Sequence, residues 1–430
     1  MKSVTETVPP PPKAKPGASS NYHKLFGAYS LTFLGDGLTL TAVPWLVSSL
    51  TSNPLHASWV TLALRLPWLL FSLPAGILID RMSRKGLIAA ASLLRTLLLL
   101  VLTVCIAAGW ISIPLLAVFM FGIGLSRVLF DSTVQTLLPS VVERSRLEQA
   151  NGRFTAGQLI SSDMVGVGLG GLVITLSLII PFAVDTVTAF AASALLLLLR
   201  GSFRPDTSQR DITSPIQKAA IATWRQDMLF GFRYIYADPF LRPLALLSIF
   251  ITLMASSLVA TQVYFAQEVL GLDSFGFAIL ILVATLGSLL ASQVISKMRT
   301  RWNPRQLLLV SILAMMMVYG ACGVFVSPYA VGLFYFTAAF FITVYNITRT
   351  SLLQRSVPDA YLGRVGSVFR FLSMGVSAIG AVVGGLIVTS SEQMFSRTFA
   401  LQLPYLLLAA VYAVCLLAGS RLLKENSDDH

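Results

Sequence analysis

The chain is 430 residues long, 55% hydrophobic and only 12% charged, with a mean hydropathy of +0.77. A soluble domain carries about 25% charged residues, so this one lacks the polar surface to enclose a core in water. Its net charge of +12 is divided among short segments, with no continuous basic groove and no nucleic-acid-binding motif; this excludes nucleic acid as a partner and points to anionic membrane lipid.

Residues 1–22 are polar, with the run Pro9-Pro10-Pro11-Pro12 and no short apolar core before a cleavage site. They read as a disordered cytoplasmic tail. Apolar stretches then occupy 25–50, 57–79, 86–110, 112–138, 154–178, 181–199, 240–265, 274–297, 306–327, 329–354, 366–389 and 398–420. About 20 apolar residues cross a bilayer, so the expectation is an all-α membrane protein with twelve transmembrane helices. Of the 31 Lys and Arg, four (Arg65, Arg95, Arg127, Arg349) lie inside spans and Arg397 falls in one set of gaps. The other 26 belong to the alternate set, with both termini, counting with it Arg242, Lys297 and Arg370 in the span ends that border those gaps. Loop charge bias of this kind sets orientation. It places both termini in the cytoplasm of a bacterial inner (cytoplasmic) membrane.

The spans divide into six and six. The expected units are an N-terminal bundle over 23–199, a cytoplasmic linker over 200–238, a C-terminal bundle over 239–421 and a tail over 422–430. In the linker Ile221, Trp224, Met228, Phe232 and Ile235 recur at helical spacing, with Lys218, Arg225 and Arg233 off that stripe. This reads as a helix lying on the inner membrane surface. The halves echo each other: Leu138, Val142, Leu147 and Phe154 match Leu353, Val357, Leu362 and Phe369 at a constant offset of 215 residues. Two parallel six-helix repeats around a midplane substrate site are a transporter plan. Gly166, Gly168, Gly170 and Gly171 crowd the fifth span, and Gly375, Gly380, Gly384 and Gly385 the eleventh. Small residues let helices approach closely in lipid, either as static packing or as sliding surfaces.

Catalysis finds little support. Cys105, Cys322 and Cys415 all lie within spans without metal-type spacing, and His23, His56 and His430 all lie outside them. No His, Cys or Ser constellation has catalytic spacing, and no G-x-x-x-x-G-K-[ST] loop occurs. No enzyme activity, cofactor or metal is expected.

Between spans two and three stands Gly76-Ile77-Leu78-Ile79-Asp80-Arg81-Met82-Ser83-Arg84-Lys85. It fits a tight turn in which Asp80 can accept from a neighbouring helix N-terminus and Arg84 can pair with a carboxylate. The loop resembles the signature loop of the major facilitator superfamily, which follows the second of twelve spans; Ser83 stands where that family usually has a second glycine. Leu34-Gly35-Asp36-Gly37, Pro139, Ala150-Asn151, Gln354, Pro358 and Gly363-Arg364-Val365 look like the branch containing macrolide efflux proteins and the enterobactin exporter. Gly166-Val167 replaces the Gly-Pro that antiporters of this superfamily often carry. The resemblance implies two six-helix pseudo-symmetric bundles of the major facilitator fold. It also implies a conformational latch formed by Gly76, Asp80, Arg84 and Asp131 in the outward-open state.

Ionisable residues within a membrane usually pair or line water. The first half has Asp36, Arg65, Arg95, Arg127, Asp131, Asp163 and Asp185; the second has Arg349. By the helix rise, Asp36 and Arg127 lie about 16 Å from the inner ends of their spans, and Asp163 and Arg95 about 14 Å. These four are the proton-coupling candidates. Burial favours a neutral carboxyl and an adjacent arginine the carboxylate, so Asp36 either exchanges a proton as substrate binds or pairs permanently with Arg127. Asp131 can meet Arg127 one turn away or Arg84. Asp185, near the outer end, reads as a packing residue, and Arg65 as paired or snorkelling. Tyr345, Asn346 and Arg349 on span ten are the substrate-cavity candidates, and the many aromatics suit a lipophilic ligand. The reading is a secondary active transporter, a proton-coupled exporter of lipophilic or amphiphilic compounds (drugs or siderophores), acting by alternating access as a monomer. Its partners are the small-molecule substrate, protons and membrane lipids. The alternatives are a facilitator or importer of the same fold, or a non-transporting membrane receptor.

Overall fold

The structure, a computed structural model, describes residues 18–143, 146–201 and 228–425. Twelve long helices appear among them. In the first half these are α1 (Ala18–Leu50), α2 (Pro54–Arg81), α3 (Arg84–Ala107), α4 (Ile113–Val141), α5 and α6 (Ile180–Leu197). Helix α5 runs as Leu147–Gln158, a wider π-type segment Leu159–Gly166, and Val167–Ile174. The second half has α7 (Leu241–Tyr264, extended by Phe265–Val269), α8 (Ser274–Arg301), α9 (Pro304–Cys322), α10 (Pro328–Ser356), α11 (Asp359–Ser391) and α12 (Arg397–Glu425). Eleven of them combine the length and hydropathy needed to cross a membrane. The other, α2, has 28 residues and so reaches roughly 42 Å.

Local chemistry explains the breaks. Asn53 accepts from Leu55 N at the start of α2, Asp273 from Gly276 N at the start of α8, and Asn303 forms a reciprocal capping box with Gln306 before α9. Pro54, Pro304 and Pro328 stand in the first turns of their helices, where the missing N–H costs nothing. Ser83 is extended (φ −64°, ψ 124°) and accepts from Gly86 N. That conformation needs no glycine, which explains why this loop can depart from the family's second glycine.

The helix contacts show the repeat. In the first half α1 packs on α5 and α6, α2 on α4, and α3 on α4 and α6. In the second half α7 packs on α11 and α12, α8 on α10, and α9 on α10 and α12. Adding six to each label converts one set into the other. The main contacts between halves, α2 with α11 and α5 with α8, also exchange under that operation. The two six-helix bundles are therefore related by a pseudo-two-fold axis. The sequence echo lies within it: Leu138 and Phe154 are buried in one apolar cluster, and Val357 and Phe369 in its counterpart.

Residues 1–17 and 202–227, with Ile221 and Trp224 of the amphipathic stripe, lie outside the described residues. Residues 228–237 are helical. Met228 and Ile235 pack with Leu241, Val357 and Val365 of the second half.

The bundles are joined more firmly on the face away from the termini. One apolar cluster there runs through both halves, including Ala42, Leu46 and Val60 with Tyr264, Phe277 and Leu401. Toward the termini the core separates into clusters belonging to single halves, such as that around Leu25, Ile88 and Leu137 and that around Leu241, Val365 and Val368.

Candidate functional site

Four helices of the first half bring ionised side chains to one point. Arg95 on α3 donates to Asp36 Oδ1 on α1 (2.7 Å) and to both oxygens of Asp185 on α6 (3.0 and 3.1 Å). Arg127 on α4 bonds the other oxygen of Asp36 and, through Nε, Asp131 Oδ2 one turn along (2.8 Å). The Thr39 hydroxyl lies 2.7 Å from Asp185 Oδ2. Phe33 stacks under the Arg127 guanidinium, 4.2 Å from ring centre to Cζ. Asp185 is fully buried and Arg95 nearly so. An ion this deep persists only if paired and hydrogen-bonded, and the two arginines meet that condition for Asp36 and Asp185. The balance is uneven, with three carboxylates facing two guanidinium groups. Asp131 Oδ1 is buried and has no hydrogen-bond partner among the described residues.

The Gly35-Asp36-Gly37 run is what lets helices close around this point. A Cβ at position 35 would lie 2.7 Å from Asp185 Cγ and 2.8 Å from Thr188 Oγ1. A Cβ at position 37 would lie 2.8 Å from Gly166 Cα. The two glycines thus admit the Asp185 carboxylate on one side and the α5 backbone on the other.

Of the four coupling candidates, the structure brings Asp36, Arg95 and Arg127 together. Asp163 stays apart, half-buried on α5 with no ion pair among the described residues. Of the latch residues, Asp131 faces Arg127 in this conformer. Arg84 instead donates to Thr136 O (3.2 Å) and Ser140 Oγ (3.1 Å) at the end of α4. Gly76 is a helical residue of α2; the side chain of Asp80 lies outside the described residues. On α10, Tyr345 is buried with its hydroxyl unpartnered, Asn346 is exposed, and Arg349 is half-buried without an ion pair among the described residues. Where the first half has ions, the second has phenols: Tyr335 and Tyr405 share a hydrogen bond (2.8 Å), and Tyr319 stacks on Tyr412. Arg65 pairs with no carboxylate among the described residues and does not reach outward. It bonds Ser377 on α11, which also accepts from Ser256 on α7 (2.9 Å).

This architecture agrees with a sequence match: residues 25–381 fit the family model described as Major Facilitator Superfamily. The chain belongs to that superfamily. It is a transporter, not an enzyme. Among curated relatives it is 28% identical over 395 residues to the multidrug efflux pump Tap of Mycolicibacterium fortuitum, covering 88% of this chain and 91% of Tap. It is 24% identical over 376 residues to the enterobactin exporter EntS of Escherichia coli, covering 85% of each. A crystal structure of a variant of the nucleoside transporter NupG superposes with a TM-score of 0.74 at 14% identity, covering 94% of this chain and 99% of that one.

This superfamily member also carries a clasp that sequence reasoning passed over. Arg397 at the start of α12 holds Glu268 with two 2.8 Å bonds, pairs with Glu392, and donates to Ser52 O in the opposite half (2.7 Å). Beside it Tyr264 donates to Thr51 O (2.9 Å), Gln267 to Ser48 Oγ (3.0 Å) and Thr389 to Asn53 Oδ1 (3.0 Å). The α1–α2 turn is thus gripped by α7, α11 and α12. The available signal was the isolation of Arg397 in its set of gaps. For Asp185 the signal was an uncompensated acid within an apolar span.

Proposed function

We propose that this chain is a proton-coupled exporter of lipophilic or amphiphilic small molecules, working by alternating access in a bacterial cytoplasmic membrane with both termini inside. Export is supported by the relatives that are an efflux pump and a siderophore exporter. The distribution of Lys and Arg supports the orientation. On that orientation the Arg397 clasp closes the outer side, and the separated clusters leave the cytoplasmic side as the opening. Residues 23–199 and 239–421 are the moving units. The second-half wall, with Tyr345, Asn346 and Arg349, faces the ionic first half across the substrate path. Asp80, Gly76 and Arg84 latch the cytoplasmic side once the halves have rocked.

The observation that carries coupling is the uneven charge of the network. One proton neutralises it, and Asp131 Oδ1 is the oxygen that can take that proton without losing a bond. Asp36, held by two arginines, is the bridge that transmits the change to α1 and α3. Opening the outer side hydrates this region, and the proton exchanges as Asp131 moves between Arg127 and Arg84. In this scheme Asp163 takes no part.

The test uses inside-out vesicles with an acidified lumen and a panel of lipophilic dyes and antibiotics. The wild type accumulates substrate only while the gradient lasts. Asp131→Asn retains substrate exchange but loses gradient-driven accumulation, and Asp36→Asn loses both. Full accumulation by Asp131→Asn removes the proton from that oxygen. Wild-type flux indifferent to the gradient makes the protein a facilitator.

A further inference from the structure

A second polar site lies in the other half, on the face that carries the termini. The α8–α9 turn and the end of α10 enclose a cavity of about 320 Å³ lined by Arg299, Arg301, Trp302, Asn303, Thr348 and Ser351 among others. No acidic residue lines it. Arg299 is fixed by bonds to Ile347 O (3.3 Å) and Ser351 Oγ (2.7 Å), which leaves other guanidinium donors free. Arg301 has no ion pair among the described residues. The cavity also meets the N-terminus of the 19-residue helix α9, whose dipole favours an anion.

The independent observation is Thr348. Helical threonines in lipid commonly donate back to the preceding turn, as Thr103 does to Leu99 O (2.7 Å) and Thr337 to Leu333 O (2.8 Å) here. Thr348 is 1% exposed, and its hydroxyl has no partner among the described residues. A buried donor of this kind calls for an acceptor, and it lines a cavity that also holds two arginines and no acidic residue. Trp302, 41% exposed, adds an indole of the type that sits at headgroup level.

We infer that this cavity binds a phosphate group, carried by an anionic phospholipid of the adjoining leaflet or by a free phosphate ester. Arg299 and Arg301 supply charge-assisted bonds, and Thr348 donates to a phosphate oxygen. Basic pockets between helices at the cytoplasmic surface are suited to such headgroups.

The test measures thermal unfolding of the purified, delipidated full chain in detergent during titration. The probes are dioctanoyl phosphatidylglycerol and inorganic phosphate, the latter against chloride at equal ionic strength. Arg301→Gln is expected to weaken phosphatidylglycerol about tenfold, the usual effect of losing one charge-assisted bond. Thr348→Val, close in shape, weakens it severalfold. Arg153→Gln, an exposed residue of the other half, leaves it unchanged. If inorganic phosphate shows the same dependence on residues 301 and 348, the site reads free phosphate esters; if only phosphatidylglycerol does, it reads lipid. Binding of both probes that ignores residues 301 and 348, or that falls equally in Arg153→Gln, overturns the assignment, as does failure of both probes to bind the wild type.

Discussion

Two adjacent glycines near the C-terminal end of α11 should behave in opposite ways. A Cβ at position 385 would lie 2.8 Å from Leu55 Cα, 2.8 Å from Pro54 O and 2.8 Å from Ser58 Oγ. All three atoms belong to α2, in the other half. A Cβ at position 384 would lie 2.7 Å from Ser257 Cα, on α7 of its own half. Ordinary carbon contacts are about 3.5–4.0 Å, so both substitutions overpack against backbone, at about 1–3 kcal/mol. For Gly385→Ala that cost falls only on the conformer in which the halves meet on the outer side. It should shift the equilibrium toward outward-open by about 5- to 150-fold, with little change in Tm. For Gly384→Ala the cost falls on the bundle itself, which should lower Tm and leave the equilibrium nearly unchanged. The assay is labelling by a membrane-impermeant maleimide of Ser48→Cys, in a background where Cys105, Cys322 and Cys415 are replaced. Gly385→Ala should label faster than its parent, and Gly384→Ala should not. Equal labelling in parent and Gly385→Ala, or the same behaviour in both variants, would show that α2 and α11 do not separate here.

Arg397→Gln should also raise labelling at position 48, roughly fivefold, because one half-exposed, charge-assisted bond to Ser52 O is lost; unchanged labelling would reduce the clasp to a C-terminal-half packing element. Asp185→Asn should destabilise the folded protein by about 3 kcal/mol, since it removes a fully buried partner of Arg95 while Asp36 remains; a wild-type Tm in that variant would argue against the network as drawn. Asn303→Ala should cost about 1 kcal/mol by removing one arm of a capping box, seen as faster amide exchange confined to the first turn of α9.

The immersion of this chain in a bilayer, its twelve helices and the duplicated plan were legible from the sequence. These properties arise within single segments: about 20 apolar residues suffice to span, caps and prolines end helices locally, and the 215-residue echo reports the repeat. The level of Asp36, Arg95 and Arg127 was legible for the same reason, because rise per residue converts sequence into depth. Depth does not give direction around a helix, however. The same arithmetic put Asp163 beside the network, whereas α5 turns it away. It put Asp185 near the outer end, whereas the long guanidinium of Arg95 reaches up to it. Arg65 finding Ser377, and Arg397 closing on Ser52, depend on which helices of opposite halves touch. The closure of the face away from the termini is still further from the sequence. The same residues must serve at least two arrangements of the halves, and the interface contacts alone separate them. Local sequence determines a helix because its hydrogen bonds close within four residues; only the packed bundle decides which buried ions meet and which side of the membrane is open.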